Sequence, residues 1–245
     1  MLGEPRPETL RSLRRILIEA RALAAQGLNR GSAGNVSARW QDGFLVTPTG
    51  LDCEAMQPGD IVPRAMDGSW QGARQPSSEW RFHRDLYAAR AEAGAIVHAH
   101  APFATALACL RADIPPFHYM IARFGGNSVR CAAYATFGTQ ALSDAALAAL
   151  EGRCACLLAN HGLLVFGRDL RQAVDLAVEF ESLCEQYWRA LQIGEGLLQC
   201  ICGGGAKLRI VGEGCSGRSG IDVFEQEFRQ EMRLMIPVKL GAEAK

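Results

Sequence analysis

Short apolar runs alternate with longer segments of helical period along most of the chain. A strand and a helix that follow one another can bury their apolar sides only by stacking as layers. The alternation therefore predicts a layered α/β domain. "PETLRSLRRILIEARALAAQGLN" reads as a helix, with Leu10, Leu13, Leu17, Ala20 and Ala24 at helical spacing and Gly27 just past its end. "RGSAGNVSAR" is small and polar and reads as a loop, and "GFLVTPTG" as a short strand running into a turn. "PSSEWRFHRDLYAARAEAG" reads as a helix from capping serines to Gly94. The strand "AIVHAH" follows, then "APFATALACL" as a helix with Pro102 in its first turn. Strand-like pieces surround "FGGNSVRCAAYA"; "TQALSDAALAALEG" is a helix ending at Gly152, and "CACLLAN" a buried strand. "DLRQAVDLAVEFESLCEQYWRALQI" reads as a long amphipathic helix capped by Asp169. Its stripe of Ala173, Leu176, Phe180, Leu183 and Tyr187 suits core or subunit contact. Residues 201–245 are Gly-rich and weakly patterned, with "VFEQEFRQEMRLMI" as a candidate helix, so the domain is set at 1–200 and the rest is a tail.

At 245 residues and 49% hydrophobic content, the chain suits one large domain or at most two small ones. Basic and acidic residues number 26 each, and no basic block exceeds "RR", which argues against nucleic acid as a partner. No run approaches the ~18 apolar residues of a membrane span. "MLGEPRPETL" carries Glu4 and Glu8 and has no apolar core, unlike a signal peptide. The expectation is a cytoplasmic protein. Its nine cysteines form no C-x-x-C, and several lie in apolar runs, as buried free thiols do in a reducing compartment. Cys200, Cys202 and Cys215 match no common zinc spacing. The only lysines are Lys207, Lys239 and Lys245, which excludes a Schiff-base lysine in the body of the fold.

His98 and His100 end the strand "AIVHAH". Strand residues two apart share a face, so two imidazoles rooted about 6–7 Å apart can close on one metal ion. The alternative is a pair of histidines hydrogen-bonded at a strand end. A third ligand could come from His83, His118 or His161. His161 is favoured, because it too is delivered by a buried strand to a sheet edge. Three histidines leave a metal position open for substrate. "AGNVS", "TPTG" and "PSSE" offer free backbone N–H groups and hydroxyls that suit a phosphate, although each alone reads equally as a turn. Glu79, in "SSEW", reads either as a proton carrier beside the metal or as a first-turn glutamate favoured by the helix dipole.

"GLNRGSAGNVSARWQDG", "TPTG", "PSSEWRFH", "VHAH", "IPPFHYMIARFGGNSVRC", "YATFGT" and "NHGLLVFG" together resemble the class II aldolase/adducin family, from about Leu10 to about Leu191. The resemblance implies a three-layer α/β/α domain around a mixed, largely antiparallel sheet. It implies one zinc ion per subunit on His98, His100 and His161, with Glu79 as acid/base and as a contact of the resting metal. Asn35, Thr49, Gly50, Ser77 and Ser78 would hold the phosphate. Tyr119, from or beside a neighbouring subunit, would protonate the aldehyde oxygen, and Phe137 would line the aldehyde side. The implied assembly is a homotetramer with sites between subunits. The implied reaction is reversible cleavage of a ketose 1-phosphate, such as L-fuculose 1-phosphate, to dihydroxyacetone phosphate and a short aldehyde such as L-lactaldehyde. Alternatives within the family are an aldolase for 5-deoxypentulose or methylthiopentulose 1-phosphates, a pentulose-phosphate 4-epimerase, a dehydratase and a sugar-acid phosphate decarboxylase. Glutamate in "SSE" and tyrosine in "HYM" favour the aldolase over these. A non-catalytic adducin-like scaffold would be expected to lack metal ligands. Family members usually end in a tyrosine-bearing tail, and here Tyr187 is the last tyrosine.

Overall fold

The computed structural model describes residues 7–193. Seven strands form one sheet: β1 (Asn35–Trp40), β2 (Gly43–Val46), β3 (Val62–Ala65), β4 (Ala95–Ala99), β5 (Cys131–Ala132), β6 (Ala155–Leu158) and β7 (Gly162–Gly167). Their order is β3-β2-β1-β4-β7-β6-β5, and every neighbouring pair is antiparallel except β5 with β6. The helices are α1 (Pro7–Ala25), α2 (Trp80–Ala89), α3 (Pro102–Ala108), α4 (Gln140–Ala149) and α5 (Leu170–Ile193). Helices α1, α3 and α5 pack together over β1, β4, β6 and β7, while α2 and α4 pack together over β2, β5 and β6. The result is a three-layer α/β/α domain around a mixed, largely antiparallel sheet. No helix among the described residues is long and apolar enough to cross a membrane.

Strands β4, β6 and β7 are apolar apart from His98, because helices cover both faces. Every residue of β4, β6 and β7 is buried. Against them α5 buries Ala173, Leu176, Phe180 and Leu183, leaving Tyr187 half-buried with its ring 4.9 Å from Phe117. Asp169 caps this helix, its Oδ1 accepting from the Gln172 N–H at 2.8 Å. Of the six cysteines among the described residues, Cys154, Cys156 and Cys184 are buried in the core.

The structure departs from the sequence reading in four places. "RGSAGNVSAR" is not all loop: β1 begins at Asn35 and lies between β2 and β4. Its polar Ser37 is buried yet hydrogen-bonded to His83 and Tyr87, so a central strand tolerates a residue that reads as surface. Edge strand β3 is masked by Pro63, which an edge accepts. Strand β7 has no counterpart in the sequence reading. Helix α2 stops at Ala89, short of Gly94, because the chain must enter the sheet there. The Gly94 N–H donates to the Gly167 carbonyl at 2.8 Å, and a Cβ on Gly94 would stand 1.9 Å from the Arg168 oxygen. The candidate helix "VFEQEFRQEMRLMI", Cys200, Cys202, Cys215 and the tail 201–245 lie outside the described residues.

Candidate metal centre and active site

Three backbone segments deliver three imidazoles to one point. His98 lies on β4, directly across from Asn35 on β1. Its Nδ1–H donates to the Leu163 carbonyl at 2.8 Å, which turns Nε2 toward the site. His100 follows one residue after β4, and its backbone N–H donates to Asn29 Oδ1 at 3.0 Å. His161 stands in the turn between β6 and β7, after Asn160 in the left-handed region at φ 56°. The ring centroids lie 4.9, 4.7 and 4.9 Å apart with interplanar angles of 73–75°. The His98 and His100 Nε2 atoms are 3.0 Å apart.

Glu79, the residue that precedes α2, completes the group. Its Oε2 is 3.2 Å from His98 Nε2 and its Oε1 is 3.3 Å from His161 Nε2. One donor atom from each of the four residues lies within 4.8 Å of the others. Ligands about 2.0–2.1 Å from a tetrahedral zinc ion stand about 3.3 Å from one another, close to the 3.0, 3.2 and 3.3 Å of the three contacts just given. Glu79 Oε1 is also buried without a hydrogen-bond partner. A cation at the centre would satisfy all four groups at once, so the donor set fits a metal ion.

The electrostatics agree. Burial alone would raise the Glu79 carboxyl, but charge and hydrogen bonding from His98, then His161 and Asn35, bring it down to about 2. Burial would lower His98, yet the Glu79 carboxylate beside it holds it above the usual histidine range. His100 and His161 are each pushed down to about 4, by burial and then by the charge of His98, so both stay neutral as metal ligation requires. Glu79 and His98 form a buried floor; His100 and His161 form the more open rim.

The proposed anion-binding loops meet beside this floor. The Thr49 N–H donates to the Gln75 carbonyl at 3.1 Å, and the Ser77 N–H to the Thr47 carbonyl at 3.0 Å. Gly50 takes φ 67° in the resulting turn. Ser77 Oγ accepts from the Glu79 N–H at 3.3 Å, and Ser78 is exposed. The loop bearing Phe137 leans on the same segment, since a Cβ on Gly138 would lie 2.9 Å from the Ser78 oxygen. Asn35 turns its side chain inward: Nδ2–H donates to Glu79 Oε2 at 3.0 Å. Tyr119 and Phe137 stand outside the four-residue cluster and are 42% and 65% exposed. His83 and His118 also stand outside it. His83 is buried against Ser37 and Asn35, and His118 Nδ1 accepts from the Met120 N–H at 3.2 Å. The sequence reading had no role for Asn29 or for the His83–Ser37–Tyr87 contacts. Asn29 lies in the quoted "GLNRGS" motif, but nothing local marks it as a support for His100.

The family model for the class II aldolase and adducin N-terminal domain matches residues 14–188. The chain belongs to this family. A 5-methylthioribulose-1-phosphate/5-deoxyribulose-1-phosphate aldolase of Rhodospirillum rubrum is 58% identical over 185 residues, 75% of this chain and 84% of that one. An L-fuculose phosphate aldolase of Escherichia coli K12 is 46% identical over 180 residues, 74% of this chain and 84% of that one. A solved L-fuculose 1-phosphate aldolase matches with a TM-score of 0.75 at 33% identity, covering 89% of this chain and 96% of that one. The protein is thus a class II aldolase, an aldehyde-lyase, and the scaffold alternative falls away. Enzymes of this class depend on a metal ion, for which the histidine–glutamate cluster is the candidate. The order of identities also reverses the two substrate expectations: the methylthiopentulose alternative has more support than fuculose.

Proposed function

We propose that this aldolase cleaves 5-methylthioribulose 1-phosphate or 5-deoxyribulose 1-phosphate to dihydroxyacetone phosphate and a short aldehyde. The observation that carries the substrate choice is the 58% identity to an aldolase named for those two sugars, against 46% to one named for fuculose phosphate. L-Fuculose 1-phosphate is the second reading, supported by the solved fuculose 1-phosphate aldolase at a TM-score of 0.75.

In this reading His98, His100 and His161 hold one zinc ion per subunit. When bound, the ion supplies a Lewis acid that stabilises negative charge on substrate oxygens. Glu79 takes and returns the proton on the carbon beside the ketone, through the buried Oε1 that accepts no hydrogen bond. Asn35, Thr49, Gly50, Ser77 and Ser78 grip the phosphate, which orients the reacting carbons from a distance. Tyr119 protonates the aldehyde oxygen and Phe137 lines the aldehyde side. Both side chains are exposed, and in the homotetramer of this reading a neighbouring subunit would complete each site. No lysine precedes Lys207, which supports a route without a Schiff base.

The test is kcat/KM for the three sugar phosphates on purified protein, before and after chelation. The expected order is methylthioribulose or deoxyribulose phosphate first and fuculose phosphate at least about tenfold lower, a difference of about 1.4 kcal/mol. Chelation should abolish cleavage and zinc restore it. A preference for fuculose phosphate would sink the substrate assignment, and full activity in metal-free protein would sink the metal reading.

A further inference from the structure

Behind Glu79 runs a line of buried polar groups, of which the proposed reaction uses only Asn35. Tyr87 Oη lies 2.8 Å from Ser37 Oγ, Ser37 Oγ lies 2.7 Å from His83 Nδ1, and His83 Nε2 lies 2.5 Å from Asn35 Oδ1. Asn35 Nδ2 then reaches Glu79 Oε2 at 3.0 Å. His83 and Tyr87 are one helical turn apart on α2, and Asn35 and Ser37 are two apart on β1, so both pairs face each other across one interface.

The donor directions follow from the far end. A carboxylate can only accept, so Asn35 must present its NH₂ to Glu79. Its Oδ1 therefore faces His83, and His83 must carry hydrogen on Nε2. Burial, with the charge of His98, pushes His83 down to about 3, so the ring is neutral and Nδ1 is a bare acceptor. Ser37 must then donate to Nδ1 and accept from the Tyr87 hydroxyl. Each group has one allowed orientation, set by the next. The ring plane is held from both sides, 6.4 Å from the Phe44 centroid and 4.7 Å from that of Phe82.

We propose that His83 is a positioning residue: its Nε2–H locks the Asn35 amide, which pins Glu79 Oε2 and leaves Oε1 as the oxygen free to act. Without that donor the amide can turn over, and Asn35 then offers an oxygen to the carboxylate. Two acceptors facing each other push Glu79 out of place. The inference rests on reading Glu79 as the proton carrier.

The test compares His83→Gln with His83→Met, which have nearly the same shape but differ in a donor. The readouts are deuterium incorporation into dihydroxyacetone phosphate, its KM, and zinc content. His83→Met should slow exchange by about 10- to 100-fold, the worth of one hydrogen bond to a charged network. Zinc content should stay unchanged and KM should move by less than about threefold, while His83→Gln recovers most of the exchange rate. Exchange within twofold of the parent in His83→Met, or no recovery in His83→Gln, overturns this inference alone. Undiminished exchange in Glu79→Gln overturns both it and the reading it rests on. Should both His83 variants fail to fold, Ser37→Ala decides, with exchange expected to fall about three- to tenfold and an unchanged rate counting against the proposal. Nitrogen NMR of the metal-free protein gives a readout apart from activity. Hydrogen on His83 Nε2 supports the proposal, and a bare Nε2 overturns it.

Discussion

Replacing Glu79 by glutamine separates charge from shape. The side chain keeps its length and one oxygen, which can still accept from the Asn35 Nδ2–H, so the site should stay assembled. Only the capacity to take a proton is lost. The expected outcome is a fall of about 10²–10⁴-fold in deuterium exchange of dihydroxyacetone phosphate, with zinc retained by three histidines. Loss of zinc in the variant would instead make Glu79 a necessary ligand. At this scale the sequence was informative about which residues gather and less so about their orientation. The strand-end position singled out His161 over His83 and His118, and the structure brings His161, not the other two, together with His98 and His100. The spacing of "VHAH" also led directly to neighbouring imidazoles. The inward turn of Asn35 was not legible, because its partner His83 lies 48 positions away and depends on how α2 sits over β1.

At the scale of elements, the site's precision comes from how β7 lies against β4. Ala99 pairs with Leu163, and a Cβ on Gly162 would stand 2.4 Å from the Ala99 oxygen and 3.3 Å from His100 Cδ2. Glycine is required there by close approach. Gly162→Ala must separate the two strands just where one carries His100 and the turn before the other carries His161. Overpacking of this kind costs about 1–3 kcal/mol, and Tm should fall by about 2–4 °C for each kcal/mol lost in a domain of this size. Zinc affinity, measured by competition with a chelating dye, should weaken by at least about tenfold, or about 1.4 kcal/mol. Unchanged Tm and affinity would show that the strands re-space without moving the ligands. Periodicity exposed α1, α2, α3, α4, α5, β4 and β6, all strongly apolar on at least one side. It missed β1, whose buried serine is satisfied by tertiary hydrogen bonds, β3, whose proline sits harmlessly on an edge, and β7, which follows β6 after a short turn.

For the whole molecule, the question is how much chain the site needs. The four cluster residues run from Glu79 to His161, the family match ends at residue 188, and α5 reaches Ile193. Helix α5 covers β4 and β7, the strands that flank the cluster, so a cut before its end would uncover the core. A cut after Leu198 removes no residue of that set. The segment beyond it holds every lysine and no tyrosine, and supplies none of the groups assigned here to metal, phosphate or proton transfer. We therefore propose that 1–200 is the catalytic domain and 201–245 a separate tail, and that truncation after Leu198 leaves a folded, zinc-loaded oligomer. Phosphate-dependent binding of dihydroxyacetone phosphate should be nearly unchanged. Turnover should fall by no more than about tenfold, the effect expected if the tail serves only to exclude water over the site. Zinc content, oligomer mass in solution and steady-state kinetics of the truncated and full chains decide the matter. Loss of zinc or of the oligomer would make the tail structural and move the domain boundary beyond residue 200.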